Sequence, residues 1–163
     1  MAKNAEYLVR VSTDLSTFGF TSVSDNKVIE KRVEYTDTKI ILDDKPIYNL
    51  GFGDVDKNGN IDDEAESNNG DIVKVISAVS LTIYEYTAKY PNRYIYFRGS
   101  NTQRTEFYQT LLKRKHNELV EDFDIFGVKG FNEEEIEFEE FRIHETYTGF
   151  MVIRKLNEGL KFD

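Results

Sequence analysis

Asp71-Ile-Val-Lys-Val-Ile-Ser-Ala-Val-Ser-Leu-Thr-Ile-Tyr-Glu-Tyr-Thr-Ala-Lys-Tyr-Pro91 carries the clearest periodicity in the chain. Its apolar residues fall at Ile72, Val75, Ile76, Val79, Ile83, Tyr86 and Tyr90, a spacing that lays one stripe along a helix. Small polar residues stand before it, at Ser67-Asn68-Asn69-Gly70-Asp71, and supply N-caps; Pro91 stops it. A short apolar run at 94–98 then reads as a strand. A long amphipathic helix followed at once by a strand points to helices packed against a sheet.

The flanks fill in that picture. Upstream, residues 7–11, 17–23, 28–35, 39–42 and 47–52 read as strands. In the third of these, Ile29, Lys31, Val33 and Tyr35 alternate with Val28, Glu30, Arg32 and Glu34, a period of two. Asp43-Asp44-Lys45-Pro46 makes the turn between the last two, closing an antiparallel meander. Residues 53–71 are polar, acidic and rich in turn formers, and read as a long ordered loop or a tight turn plus loop. Downstream of strand 94–98, Gly99-Ser100-Asn101 turns the chain into a second helix over 102–119. Lys113-Arg114-Lys115 and His116 fall near its expected end, where cations suit the dipole. Strands at 123–129, 136–143 and 148–155 follow, and residues 156–163 read as a frayed tail. The expectation is one α+β domain over residues 1–163: a mostly antiparallel β-sheet with two helices packed on one face.

Composition narrows the chemistry. Twelve Phe and ten Tyr with two Pro suit an ordered, strand-rich core. A formal charge of −9 repels phosphate backbones and anionic lipid, so neither nucleic acid nor membrane is the expected partner. The absence of Cys removes disulfides, thiolate metal sites and thiol nucleophiles. Residues 1–11 lack the apolar stretch of a secretory signal, and cytoplasmic is the default expectation.

Four motifs stand apart: Asn49-Leu50-Gly51-Phe52-Gly53-Asp54, Ser67-Asn68-Asn69-Gly70-Asp71, Gly99-Ser100 with Arg104, and Gly149-Phe150 with Arg154-Lys155. In order and spacing they resemble a family of uncharacterised bacterial proteins described as a domain of unknown function. The resemblance spans residues 47–155 and implies no activity, substrate or catalytic residue. Asn101 departs from it, standing where the family pattern carries Thr.

Two of these motifs open helices. Helix N-termini present unpaired N–H groups and partial positive charge, which suit an anion. If the first helix runs antiparallel to strand 94–98, both N-termini lie at one end of the sheet. Ser67, Asn68, Asn69, Asp71, Ser100, Asn101 and Arg104 then form a candidate ligand site, with Arg104 as a bidentate clamp. The competing reading, plain caps with Arg104 paired to Asp71 or a loop carboxylate, is the commoner outcome for such residues.

Asp54, Asp56, Asn58, Asn60 and Asp62 copy the first half of a calcium loop, with Gly59 at its sixth position. Position twelve is Ala65 rather than a bidentate carboxylate, and a strand precedes the loop, so solvated turn chemistry is the expectation. His116 and His144 are isolated, and Glu133 to Glu140 alternate with apolar residues as on a solvated strand. Tyr84, Tyr86, Tyr90, Tyr94 and Tyr96 lack the interleaved cations of a base-stacking surface and read as packing residues.

No catalytic constellation and no cofactor motif emerges. The sequence therefore leads to a binding or interaction module with a pocket for a small anionic or nucleotide-like ligand. A small enzyme acting on such an anion, with Asp71 or Asp54 as base, is the alternative, and a calcium-binding protein at 54–66 a second one. The free edges of an antiparallel sheet also offer a route to a homodimer or a partner peptide.

Overall fold

The computed structural model describes residues 7–24, 27–62, 70–99 and 101–155. Among these residues nine strands form one sheet: β1 (Arg10–Val11), β2 (Thr17–Val23), β3 (Val28–Leu42), β4 (Lys45–Val55), β5 (Ile61–Asp62), β6 (Tyr94–Phe97), β7 (Phe123–Phe131), β8 (Ile136–Glu140) and β9 (Gly149–Arg154). Helix α1 (Ile72–Lys89) precedes β6, and α2 (Thr102–Asp122) follows it. The strand order is β1-β2-β3-β4-β6-β9-β7-β8, with β5 pairing back onto β4. Every described pairing is antiparallel except that of β4 with β6. This is the expected α+β class.

Alternation in β2 and β3 sends Phe18, Phe20, Val33 and Tyr35 inward, as the period of two requires. The expected break after Tyr35 is a bulge instead. Pairing of β3 with β4 shifts between Asp37 and Ile40, and Lys39 takes a φ of 67°. Neighbouring side chains satisfy the backbone there: Thr38 Oγ1 donates to the Ile47 carbonyl at 2.7 Å, and Asp37 accepts from the Lys39 N–H. The turn between β3 and β4 is shorter than expected, since Leu42 already pairs with Lys45. Asp43 and Asp44, with φ of 52° and 66°, form a two-residue turn whose twist matches that of the strands.

Because β4 and β6 are parallel, the chain must cross over between them, and α1 makes that crossover. Val75, Ile76, Val79, Ile83 and Tyr86 are its buried stripe. Tyr86 stacks on Tyr35 at 3.9 Å between ring centres, and Thr82 shares a hydrogen bond with the Tyr35 hydroxyl. Helix α2 adds Tyr108, Leu111, Leu112 and Leu119 to the same cluster. A second cluster, centred on Ile47, Tyr94, Tyr96 and Met151, occupies another part of the core, where Ile40 and Leu42 from β3 and Phe131 and Phe138 from the β7–β8 hairpin pack against it. Contacts to both clusters explain why β6 and nearly all of β9 are buried. Of the tyrosines expected in packing roles, Tyr86, Tyr94 and Tyr96 are buried, and Tyr84 and Tyr90 pack at the margin of the first cluster.

Further boundaries differ from expectation: the first strand keeps only Arg10–Val11 of the expected 7–11. Helix α2 runs on to Asp122, so Lys113-Arg114-Lys115 lie mid-helix, and its last turn contains no basic residue. His116 is likewise no dipole partner; its ring lies 6.2 Å from that of Phe141. The stretch read as a loop from residue 53 begins with strand: β4 continues to Val55, and β5 pairs Ile61 and Asp62 back onto it. Finally, β8 stops at Glu140, and residues 141–148 form a turn pinned by Tyr147, whose hydroxyl donates to Glu139 at 2.7 Å and accepts from the Arg142 N–H. Among the described residues, no helix is long and apolar enough to cross a membrane. Residues 156–163, expected as a tail, lie outside the described part.

Candidate functional site

The two helix starts are built differently. At α2, Asn101 is extended, with φ −148° and ψ 178°, and its Oδ1 accepts from the Arg104 N–H at 2.9 Å. Its carbonyl takes the Thr105 N–H and hydroxyl, both at 3.1 Å. Gly99 makes the tight approach possible, because a Cβ there would come within 2.2 Å of the Thr105 nitrogen. At α1, Asp71 occupies the cap position without capping. Its carboxylate instead accepts from the hydroxyls of Tyr7 and of buried Ser22, the latter at 2.5 Å. Burial, then the adjoining carboxylate, pushes the Tyr7 phenol above its ordinary pKa.

The crossover places both helix N-termini at one end of the sheet, but their side chains serve different strands. Asp71 reaches Ser22 on β2, whereas Arg104 donates from Nη1 to the Phe52 carbonyl on β4 and from Nη2 to the Asp62 carbonyl at 3.3 Å. Ser22 pairs with Ile29 and Phe52 with Val33, two strands apart and four residues apart along β3. That is roughly 10 Å across and 13 Å along the sheet. The structure brings Asn101 and Arg104 together and leaves Asp71 apart. Ser67, Asn68, Asn69 and Ser100 lie outside the described residues.

The calcium-like segment is a hairpin. Asp54 Oδ1 meets the buried Lys31 ammonium at 2.5 Å. Asp56 Oδ1 accepts the N–H groups of Asn58 and Asn60, while Asp56 and Asn60 also join through their backbones. Gly59 supplies the left-handed residue with φ 84°. Asp62 lies in β5, and its carbonyl faces Arg104. Among the described residues, no group of three or more His, Asp or Glu is placed to hold a metal.

The more concave surface lies beside α2. Pairing of β4 with β6 ends at Asn49, and pairing with β5 begins at Asp54, so residues 50–53 of β4 face a gap on that side. Arg104 enters the gap, and Gly53 leaves room for it, since a Cβ would lie 3.3 Å from Nη1 and 2.7 Å from Ile61. A slot of about 210 Å³ opens there, lined by residues 49–52, Arg98, Gly99, Arg104 and Tyr108. Among the described residues, two guanidinium groups and no carboxylate line it. On the other side of Arg98 and Gly99 lies a trough of about 680 Å³ between α2 and the 143–148 turn. Thr102, Thr105, Gln109 and Lys113 form its helical wall, and Thr146 and Thr148 stand opposite.

Arg98 is the hinge between the two hollows. It is exposed, follows the last residue of β6, and lines both. Burial raises the Tyr96 phenol pKa, and the Arg98 guanidinium partly offsets that rise. The sequence reading passed over Arg98 as the end of a strand. A cation where a parallel strand gives way to a helix start was the available signal, because ligands of open sheets gather at the carboxyl ends of parallel strands. The trough had no such signal, since residues 141–143 read as the end of one strand and Thr148 as the start of the next.

No curated protein and no solved structure matches the chain. A model of a family of unknown function, DUF6934, matches residues 3–155. Its span takes in all four motifs that carried the resemblance, and the chain belongs to that family.

Proposed function

We propose that the chain is a cytoplasmic bacterial binding module for a small anionic ligand, held at the carboxyl end of the parallel β4–β6 pair. One observation carries this reading: a slot lined by two guanidinium groups and, among the described residues, no carboxylate joins a larger polar trough at Arg98 and Gly99. The anionic group sits in the slot against Arg98, in the field of Arg104 and of the α2 N-terminus. The body of the ligand extends into the trough, whose volume suits a small molecule. This moves the site from both helix starts to one. Asn101 and Arg104 keep positioning roles, and Asp71 anchors α1 to β2.

A second reading is an enzyme acting on the same anion. It draws on Glu106, His144 and Glu145, which line the trough, rather than on Asp54 or Asp71, whose carboxylates face Lys31 and two hydroxyls. The sheet edges at β1 and β8 are the surfaces open to a homodimer or a partner peptide.

A thermal-shift screen of nucleotides, phosphosugars, organic acids and divalent metals tests the proposal. The expected outcome is stabilisation by a subset of anions that Arg98→Gln abolishes without lowering the melting temperature of the free protein. Failure of every anion, or stabilisation that survives Arg98→Gln unchanged, contradicts it.

A further inference from the structure

We infer that the ligand is a singly phosphorylated sugar or polyol rather than a nucleotide; this rests on the anion site proposed above. The slot, of about 210 Å³, has room for a phosphate group, and the trough beside it differs in chemistry. A nucleobase needs an apolar or aromatic face to stack on. The trough offers little of one. Tyr147 is buried, with its ring against Gly127 and its hydroxyl on Glu139, and Ile143 is half-buried on the rim. His144 is an exposed ring on the turn.

The trough is instead rich in short hydroxyls, carboxylates and an amide. Thr102, Glu106 and Thr146 are exposed on its walls, and Gln109 reaches across to the Glu145 carbonyl at 3.4 Å. Adjacent sugar hydroxyls are paired donors and acceptors, which a carboxylate and threonine hydroxyls can satisfy together. Glu106 and Glu145 also set like charges against a second phosphate entering the trough. A single phosphate at the Arg98 end and a neutral, hydroxylated body fit both hollows.

Calorimetric titration of the whole chain with inorganic phosphate, glucose, glucose 6-phosphate and adenosine 5′-monophosphate separates the possibilities. The expected result is binding of glucose 6-phosphate about tenfold tighter than inorganic phosphate or the nucleotide, with no measurable binding of glucose. Arg98→Gln should weaken every phosphate. Glu106→Ala with Thr146→Val, both at exposed positions, should remove the sugar's advantage over inorganic phosphate. A nucleotide that binds as tightly as the sugar phosphate, or a sugar phosphate no tighter than phosphate, overturns this inference while leaving the anion site standing. Absence of binding by all the phosphates overturns both.

Discussion

The starts of α1 and α2 carry similar sequence signals, small polar residues ahead of an amphipathic stretch, yet they do different things. At α2 the polar residue is a true cap: Asn101 holds the first turn, and Gly99 packs against the helix backbone. At α1 the corresponding Asp71 turns away from its helix to take two hydroxyls from the N-terminal segment and β2. The comparison teaches that a polar residue at a helix start reports a hydrogen-bonding need without saying whose. At α1 the neighbours meet that need; beside α2 an exposed arginine and two joined hollows remain.

The sharpest way to break the comparison is through the glycines. Gly99→Ala drives a Cβ into the α2 backbone, and should cost about 3 kcal/mol. Gly70→Ala meets open space and suffers only from its φ of 75°, a cost of about 1 kcal/mol. Urea unfolding of both variants checks the ranking; equal losses would mean that the two helix starts are packed alike.

A smaller effect separates cap from clamp. Asn101→Ala should lose about 1 kcal/mol and be insensitive to Tyr7→Phe. Asp71→Ala should couple to Tyr7→Phe by about 0.5–1 kcal/mol in a double-mutant cycle. Additive losses at Asp71 and Tyr7 would return Asp71 to an ordinary helix start.

The smallest effect concerns the turn that walls the trough. Tyr147 donates to Glu139, with Lys129 beside it, and this bond first of all holds the Glu139 carboxyl below its usual value of 4.5. A carboxylate with a depressed folded pKa stabilises fully above the unfolded value and loses that contribution as pH falls through the folded one. Thermal melts of the wild type and Glu139→Gln should therefore differ at neutral pH and converge in acid. A constant difference across that range would place the contribution elsewhere.

Much of the architecture was legible because it rests on periodicity. The stripe from Val75 to Tyr86 and the alternation from Ile29 to Tyr35 are local signals of burial, and the sheet follows from them, although Ile72, expected in the same stripe, is exposed. The bulge at Asp37–Ile40 and the length of α2 were not legible. One depends on tertiary pairing that Thr38 supports across β4, and the other has a polar, charged surface without a stop signal before Asp122. Of the residues around the proposed site, Asn101 and Arg104 follow from helix-start chemistry, whereas Arg98 depends on which strand lies beside β6. The trough depends on a turn whose first residues, 141–143, continue a strand-like alternation.

Amide NMR of the uniformly labelled chain, titrated with inorganic phosphate, tests the central claim most directly. The account predicts saturable shifts at Gly99, Thr102 and Thr105 that vanish in Arg98→Gln. Shifts centred on Asp71 and the turn at 56–60, or none that saturate, would contradict it.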